Sequence, residues 1–224
     1  MPKVIIIATN IAELAGKPNG TYMPELTHVV EALAANGIEF DIASPNGGKI
    51  PGYGKDADDI TKKLLADESF SAAISTTMKL SDVDPSIYDA VFYPGGYGLL
   101  FDLCEDETAH KITRTIYEAG KPVSAVCHGP AALALIKLSD GSGLIDGKNV
   151  TGFTLGEEKA MDTLDAIPFV LEERMVENGG IYRKVKNWKS LVVEDGLLIT
   201  GQNPGSAGDV GKALAARLGS VDDA

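Results

Sequence analysis

The stretch KPVSAVCHGPAA, residues 121–132, decides the fold, because it has the pattern of a buried strand, a sharp turn and the start of a helix. Residues 122–126 form a short apolar run with two valines, which is typical of a strand inside a sheet. The run breaks at Cys127-His128-Gly129-Pro130, and proline suits the first turn of a helix, where its missing N–H costs nothing. Strand, turn and helix are the parts of a nucleophile elbow, in which the turn side chain projects from the sheet. The pattern predicts that Cys127 is this side chain.

The residues alone leave two interpretations of Cys127. A helix N-terminus carries partial positive charge and free N–H groups, which favour a thiolate and would lower the pKa of Cys127. Alternatively, Cys127 packs as a small buried hydrophobe, as many free cysteines do. The other cysteine, Cys104, precedes three acidic residues whose charge would raise its pKa, so it is the poorer nucleophile.

Length and composition restrict the class of protein. The chain has 224 residues, of which 44% are hydrophobic, and we expect one α/β domain over residues 1–224 because no linker or repeat divides it. A net charge of −12 argues against nucleic acid as a partner. No apolar run is long enough to span a membrane. Two cysteines are too few for a disulfide framework, which favours a cytoplasmic location.

Strand and helix patterns alternate along the chain. Strand patterns occupy residues 3–8, 39–44, 88–93, 122–126 and 150–153, with a hairpin at 191–193 and 197–200. Helical patterns occupy residues 24–35, 56–66, 105–119, 157–165, 168–177 and 203–218. This alternation predicts a doubly wound α/β fold, with a mostly parallel sheet sandwiched by helices. Ligands bind beyond the carboxyl ends of such strands, so the loop after the first strand, the loop at 94–98 and the elbow should converge.

Few side chains outside the elbow suggest chemistry. Gly95 and Gly96 are candidate oxyanion donors through their backbone N–H groups, or simply a tight turn. The acidic pair Glu157-Glu158 follows a strand and could orient a histidine, or could merely start a helix. His128 is adjacent to the cysteine and reaches it only if the backbone bends sharply. The dispersed histidines and cysteines form no zinc pattern, so no metal is expected.

Six segments together resemble a known family. They are AVCHGP at 125–130, YMPELTH at 22–28, YDAVFYPGG at 88–96, LSDG at 138–141, GKNVTGFT at 147–154 and ITGQNPGS at 199–206. The first is similar to the elbow of the ThiJ/PfpI superfamily, whose fold is the flavodoxin-like class I glutamine-amidotransferase-like type. The others resemble its branch of glutathione-independent glyoxalases and heat-inducible chaperones.

The resemblance implies a role for each matching residue. Cys127 would be the nucleophile and His128 the histidine of a triad, with Glu158, rather than Glu157, as the acid. Glu25 would lie beside the sulfur, protonated, and donate a hydrogen bond to the thiolate.

The double-glycine loop carries further implied roles. Gly95 and Gly96 would form the oxyanion and substrate site together with the backbone N–H of His128. Many relatives have histidine after the two glycines, whereas this chain has Tyr97. Tyrosine donates a hydrogen bond but does not shuttle protons near neutral pH. This departure therefore bears on substrate preference and rate.

The implied activity is that of a glyoxalase of the D-lactate dehydratase type. Methylglyoxal, or another small reactive 2-oxoaldehyde, would form a hemithioacetal with Cys127, and His128 or Glu25 would act as the base. Neither glutathione nor any other cofactor is implied. The alternatives are a chaperone that binds misfolded proteins, an oxidative-stress sensor that uses Cys127, and a cysteine amidase, peptidase or protein deglycase. Relatives imply a homodimer.

Overall fold

The structure is a computed structural model that describes residues 1–219. Its strands are, in chain order, β1 (Lys3–Ile7), β2 (Glu13–Leu14), β3 (Lys17–Pro18), β4 (Thr21–Tyr22), β5 (Glu39–Ser44), β6 (Gly52–Tyr53), β7 (Met78–Lys79), β8 (Ala90–Tyr93), β9 (Val123–Val126), β10 (Asn149–Val150), β11 (Ile181–Tyr182), β12 (Val192–Asp195) and β13 (Leu198–Gly201). Its α-helices are α1 (Met23–Ala35), α2 (Asp59–Ala66), α3 (Glu68–Ser75), α4 (Leu99–Asp102), α5 (Glu107–Glu118), α6 (Leu155–Met161), α7 (Leu171–Glu177) and α8 (Ala207–Gly219).

One central sheet contains seven of these strands, in the order β12-β13-β9-β8-β1-β5-β7. Strand β12 is antiparallel to β13, and the other neighbouring pairs are parallel. From β1 the chain first builds outward through β5 and β7, then returns to the other side of β1 through β8, β9 and β13. The predicted doubly wound α/β fold with a mostly parallel sheet is therefore confirmed.

The middle strands are apolar because both of their faces are covered. In β1, residues 4–7 are completely buried, although successive side chains point to opposite faces of the sheet. Strands β8 and β9 are buried along their whole length. Helix α5 packs on β8 and β9, whereas α8 packs on β9, β13 and α1. Between Met1 and Gly219, no helix combines the length and the apolar character that a membrane span requires.

Capping side chains set helix ends that apolar periodicity alone placed wrongly. The Asp58 side chain accepts a hydrogen bond from the Thr61 N–H, so α2 begins at Asp59 and not at residue 56. Asp162 adopts a left-handed conformation, with φ of 55°, which ends α6 at Met161 and not at residue 165. The strand expected at 150–153 is confined to β10, and helices α3 and α4 were not predicted.

The structure differs most from the sequence prediction in the segment that follows Cys127. The expected helix after Cys127 is a single 3₁₀ turn, Gly129–Ala132. Such a turn has few aligned peptide dipoles, so its N-terminus attracts negative charge less than an α-helix would.

Candidate active site

Cys127 lies at the carboxyl end of β9 in a strained turn. Its φ of 61° falls in the left-handed region, which a non-glycine residue seldom adopts. Hydrogen bonds on both sides hold this conformation, because the Cys127 N–H donates to the Gly201 carbonyl (2.9 Å) and its carbonyl accepts from the Phe153 N–H (2.8 Å). Strain that is held in place in this way is typical of a functional turn.

The strained turn brings the adjacent imidazole back to the sulfur. Nδ1 of His128 lies 3.4 Å from the Cys127 Sγ, and Nε2 lies 2.7 Å from Oε1 of Glu158. The His128 ring packs between Tyr97 and Phe153, with centroid distances of 4.2 and 4.5 Å. The structure therefore brings Cys127, His128 and Glu158 together, with the imidazole between the thiol and the carboxylate.

The Glu158 carboxylate is suited to stabilise a positive imidazole. Burial alone would raise its pKa, but the hydrogen bond with His128, the charge of that imidazole when it is protonated, and the hydrogen bond from Thr163 together hold the pKa of Glu158 below its ordinary value. Its Oε2 accepts a hydrogen bond from the Thr163 hydroxyl, which in turn accepts one from the Tyr97 hydroxyl (3.2 Å). Thr163 had no signal in the sequence, because it follows the left-handed turn that folds the chain back onto α6.

Glu157 turns away from the histidine, although it is the next residue along the chain. Its Oε2 accepts from the backbone N–H and the hydroxyl of Thr154, which makes a capping box at the start of α6. Its Oε1 accepts hydrogen bonds from the backbone N–H of Trp188 and from the side-chain amides of Gln202 and Asn203. Glu157 is thus completely buried in a separate hydrogen-bond network.

Glu25, in the first turn of α1, is completely buried beside the sulfur. Burial raises the pKa of Glu25 to about 8, and the nearby Cys127 side chain and Gly95 N–H counteract only part of this effect. Neither carboxyl oxygen of Glu25 has a hydrogen-bond partner of normal geometry among residues 1–219. A Cβ at Gly95 would overlap the Glu25 carboxyl and the Cys127 Cβ, which shows how closely the three residues approach one another. At neutral pH the carboxyl is therefore mostly protonated and can donate a hydrogen bond to a thiolate.

The expectation of a lowered pKa for Cys127 is wrong for the resting site. The side chain is only 5% exposed, and burial raises the pKa of the Cys127 thiol; the Glu25 carboxyl raises it further when it is ionised. The backbone N–H of His128 acts in the opposite direction but is weaker. The thiolate therefore has to be generated by a base.

The double-glycine loop lies against the same site. Gly96 has a φ of 124° and no room for a Cβ, which would collide with the Gly20 carbonyl. The Gly95 N–H acts to lower the pKa of Glu25 and so lies near that carboxyl, and its role as an oxyanion donor stays a prediction. Tyr97 is nearly buried, and burial raises the pKa of its phenol.

The remaining histidines and the second cysteine lie elsewhere. His28 bonds to Asp58 (3.0 Å), and His110 bonds to the Cys104 carbonyl (3.1 Å). Burial, more than the acidic neighbours, raises the pKa of Cys104, whose thiol donates to the Leu100 carbonyl. Within residues 1–219, no cluster of three or more histidine, cysteine or acidic side chains is arranged to hold a metal ion.

A cavity of about 480 Å³ opens above the sulfur. Beyond the triad and Glu25, its lining includes Tyr22, Tyr53, Met161, Trp188 and Asn203. Sequence reasoning assigned these side chains no role in the site, because they come from segments that are far apart along the chain and match no catalytic motif.

The fold and this site define a member of the DJ-1/PfpI family, to which the chain belongs, since the family model matches residues 18–217. Glyoxalase 3 of Candida albicans is 32% identical over 92% of this chain and 94% of that protein. The glutathione-independent glyoxalase HSP31 of Saccharomyces cerevisiae is 28% identical, again over 92% of this chain and 94% of that protein. The solved structure of Rapid Encystment Protein 24 KDa (REP24) of Francisella tularensis superposes with a TM-score of 0.93, at 34% identity, over 97% of this chain and 99% of that one. The resemblance to the glutathione-independent glyoxalase branch is confirmed.

Proposed function

We propose that the chain is a glutathione-independent glyoxalase, which converts methylglyoxal and similar 2-oxoaldehydes to 2-hydroxy acids. The observation that carries the proposal is the Cys127 thiol within 3.4 Å of an imidazole that bonds to a buried carboxylate. Relatives that carry this activity in their names align over nearly the whole chain. Cys127 supplies the thiol that glutathione would otherwise provide.

The first step is formation and attack of the thiolate. Nδ1 of His128 takes the Cys127 proton, and the Glu158 carboxylate stabilises the imidazolium that results. The sulfur adds to the aldehyde carbon, and the former carbonyl oxygen receives the proton from the imidazolium. The product is a hemithioacetal, and the imidazole is neutral again.

The second step moves hydrogen from the aldehyde carbon to the neighbouring carbon. Neutral His128 removes the C–H proton, and the resulting enediolate is stabilised by the backbone N–H groups of His128 and Gly96. We assign the base to His128, because Glu25, with a pKa of about 8, is mostly protonated at neutral pH. The His128 imidazolium returns the proton to the adjacent carbon, and the hydroxyl proton on the former aldehyde oxygen passes to the neighbouring oxygen, which gives a thioester. Water then releases the 2-hydroxy acid and the thiol.

Turnover without added thiol tests the proposal. Purified protein is incubated with methylglyoxal, and loss of aldehyde and formation of D-lactate are measured. We expect Cys127→Ser to lose about 10³-fold or more in kcat, because the nucleophile is gone. Cys104→Ser, a matched change at the cysteine outside the cavity, should retain the rate. A full rate in Cys127→Ser, or an absolute requirement for glutathione, would contradict the proposal.

The alternative of an oxidative-stress sensor is less well supported. Peroxides react with the thiolate, and burial of Cys127 disfavours that form in the resting protein. No observation favours a chaperone or an amidase over the glyoxalase.

We also propose that the protein acts as a homodimer in the cytoplasm. Both cysteines are free, which suits a reducing compartment. Several large apolar side chains are exposed, among them Ile87, Phe101 and Val176. Light scattering after gel filtration would test the dimer, and a mass equal to one chain would contradict it.

A further inference from the structure

The cavity above Cys127 is larger than the smallest 2-oxoaldehyde requires. Its volume is about 480 Å³, whereas a protein cavity of about 150 Å³ is sufficient for benzene. The methyl group of methylglyoxal would leave most of this space to water. The volume is therefore suited to a substituent at least as large as an aromatic ring.

Aromatic rings supply much of the cavity lining. The Tyr22 and Tyr53 rings are 5.0 Å apart, and the Trp188 ring meets the Phe153 ring edge-on at 5.8 Å. Such rings favour flat apolar groups, which bind by stacking or by edge contacts. Among the described residues that line the cavity, none is lysine or arginine. The lining therefore contains no strong attraction for an anionic substituent.

Asn203 is a polar lining residue that is unavailable to a substrate. Its side-chain nitrogen donates to Oε1 of Glu157 (2.7 Å) and to the Lys189 carbonyl (2.9 Å). The amide therefore fixes the neighbouring chain segment and does not present a free donor to the cavity.

Glu157 holds the Trp188 part of the lining in place. Trp188 is 48% exposed, and its φ of 66° is strained for a residue with a side chain. The backbone N–H of Trp188 donates a hydrogen bond to Oε1 of Glu157 (2.9 Å). The same oxygen accepts from Gln202 (3.1 Å), whose own Oε1 accepts from the Val185 N–H (2.9 Å). One buried carboxylate thus anchors the segment that carries Trp188, and Glu157 has no other role in the proposed chemistry.

From these contacts, and resting on the proposed function, we infer that the cavity selects 2-oxoaldehydes with a flat apolar substituent, such as an aryl group. Trp188 is the specificity-determining side chain, and Glu157 is the positioning residue that holds it against Phe153. Both residues act on the substituent and leave the reacting carbon atoms to Cys127 and His128.

The test compares phenylglyoxal with methylglyoxal. We expect wild-type protein to prefer phenylglyoxal by about tenfold or more in kcat/KM, mainly through a lower KM. Trp188→Ala should reduce this preference about five- to tenfold, because the ring contact is lost. Trp188→Phe keeps an aromatic ring and should retain most of the preference. Since Trp188 is half exposed, its truncation leaves the core intact.

Glu157→Gln tests the positioning role with a second readout. The variant should reduce the preference in the same direction, and should shift the emission of Trp188, the chain's sole tryptophan, to longer wavelength as the segment loosens. Glu173→Gln, the same change at an exposed position on α7, should alter neither quantity.

The outcomes separate this inference from the proposed function. Activity with equal kcat/KM for the two substrates, or an undiminished preference in Trp188→Ala, would overturn the selectivity inference alone. An unchanged preference and unchanged emission in Glu157→Gln would overturn the positioning role. Inactivity toward both substrates would overturn the glyoxalase proposal and this inference with it.

Discussion

Replacing Glu25 by glutamine should stabilise the folded protein, and increasingly so as the pH rises. Burial raises the pKa of Glu25 to about 8 from an ordinary value of 4.5. Between these two values the unfolded chain carries a carboxylate and the folded chain a carboxylic acid. Folding therefore takes up a proton, and the free energy of unfolding falls as the pH rises through this window.

The magnitude follows from the width of the window. Within the window, each pH unit lowers the free energy of unfolding by about 1.4 kcal/mol. The total loss is therefore about 3 kcal/mol at pH 7 and levels off at about 5 kcal/mol above pH 8. Glutamine has nearly the same shape and never ionises, so Glu25→Gln removes the pH-dependent part of the penalty. It also removes the acidic proton that faces the sulfur, so we expect the turnover of methylglyoxal to fall.

Urea unfolding at pH values of about 5, 7 and 9 measures the effect. The advantage of Glu25→Gln over wild type should grow from less than about 1 kcal/mol at the lowest pH to about 5 kcal/mol at the highest. Glu173→Gln, at an exposed site, serves as the control and should differ little from wild type throughout. A difference between Glu25→Gln and wild type that does not change with pH would refute the conclusion that the buried carboxyl is protonated in the folded state.

Three further substitutions test the rest of the site. Glu158→Gln should lower kcat for methylglyoxal by about 10²- to 10⁴-fold with little change in KM, because the imidazolium loses its carboxylate; a normal kcat would contradict this. Thr163→Val removes a donor to Glu158 and should lower kcat by about tenfold; unchanged kinetics would show that the bond is dispensable. Gly95→Ala forces a methyl group against Glu25 and Cys127 and should lower stability by about 1–3 kcal/mol, measured by thermal unfolding; an unchanged Tm would show that the loop can yield.

The sheet was predictable because its strands are buried on both faces. Strand β8 is apolar throughout, β1 is apolar after Lys3, and β9 is interrupted only by the small residue Ser124. Such runs are recognisable without any knowledge of their neighbours. Helix ends were predicted less well, because a capping side chain such as Asp58 or a left-handed residue such as Asp162 decides them. Neither feature leaves a trace in apolar periodicity.

The site was predictable only in part, for a geometric reason. Glu157 and Glu158 are adjacent on α6, and neighbouring helical side chains point about 100° apart. One carboxylate therefore faces His128 while the other faces Trp188 and Asn203, and composition cannot distinguish them. The family resemblance favoured Glu158, but the network around Glu157 depends on loops that meet only in the folded chain.

The unfavourable features of this molecule are concentrated at one place, the carboxyl end of β9. Cys127 is strained, and Glu25 is kept protonated by burial. Each of these lowers the free energy of unfolding, and the apolar sheet on either side of the turn offsets them. Because the reactive thiol requires both, a substitution that relieves either of them should gain stability and lose turnover together. Glu25→Gln is the cleanest case, since it changes ionisation without changing shape.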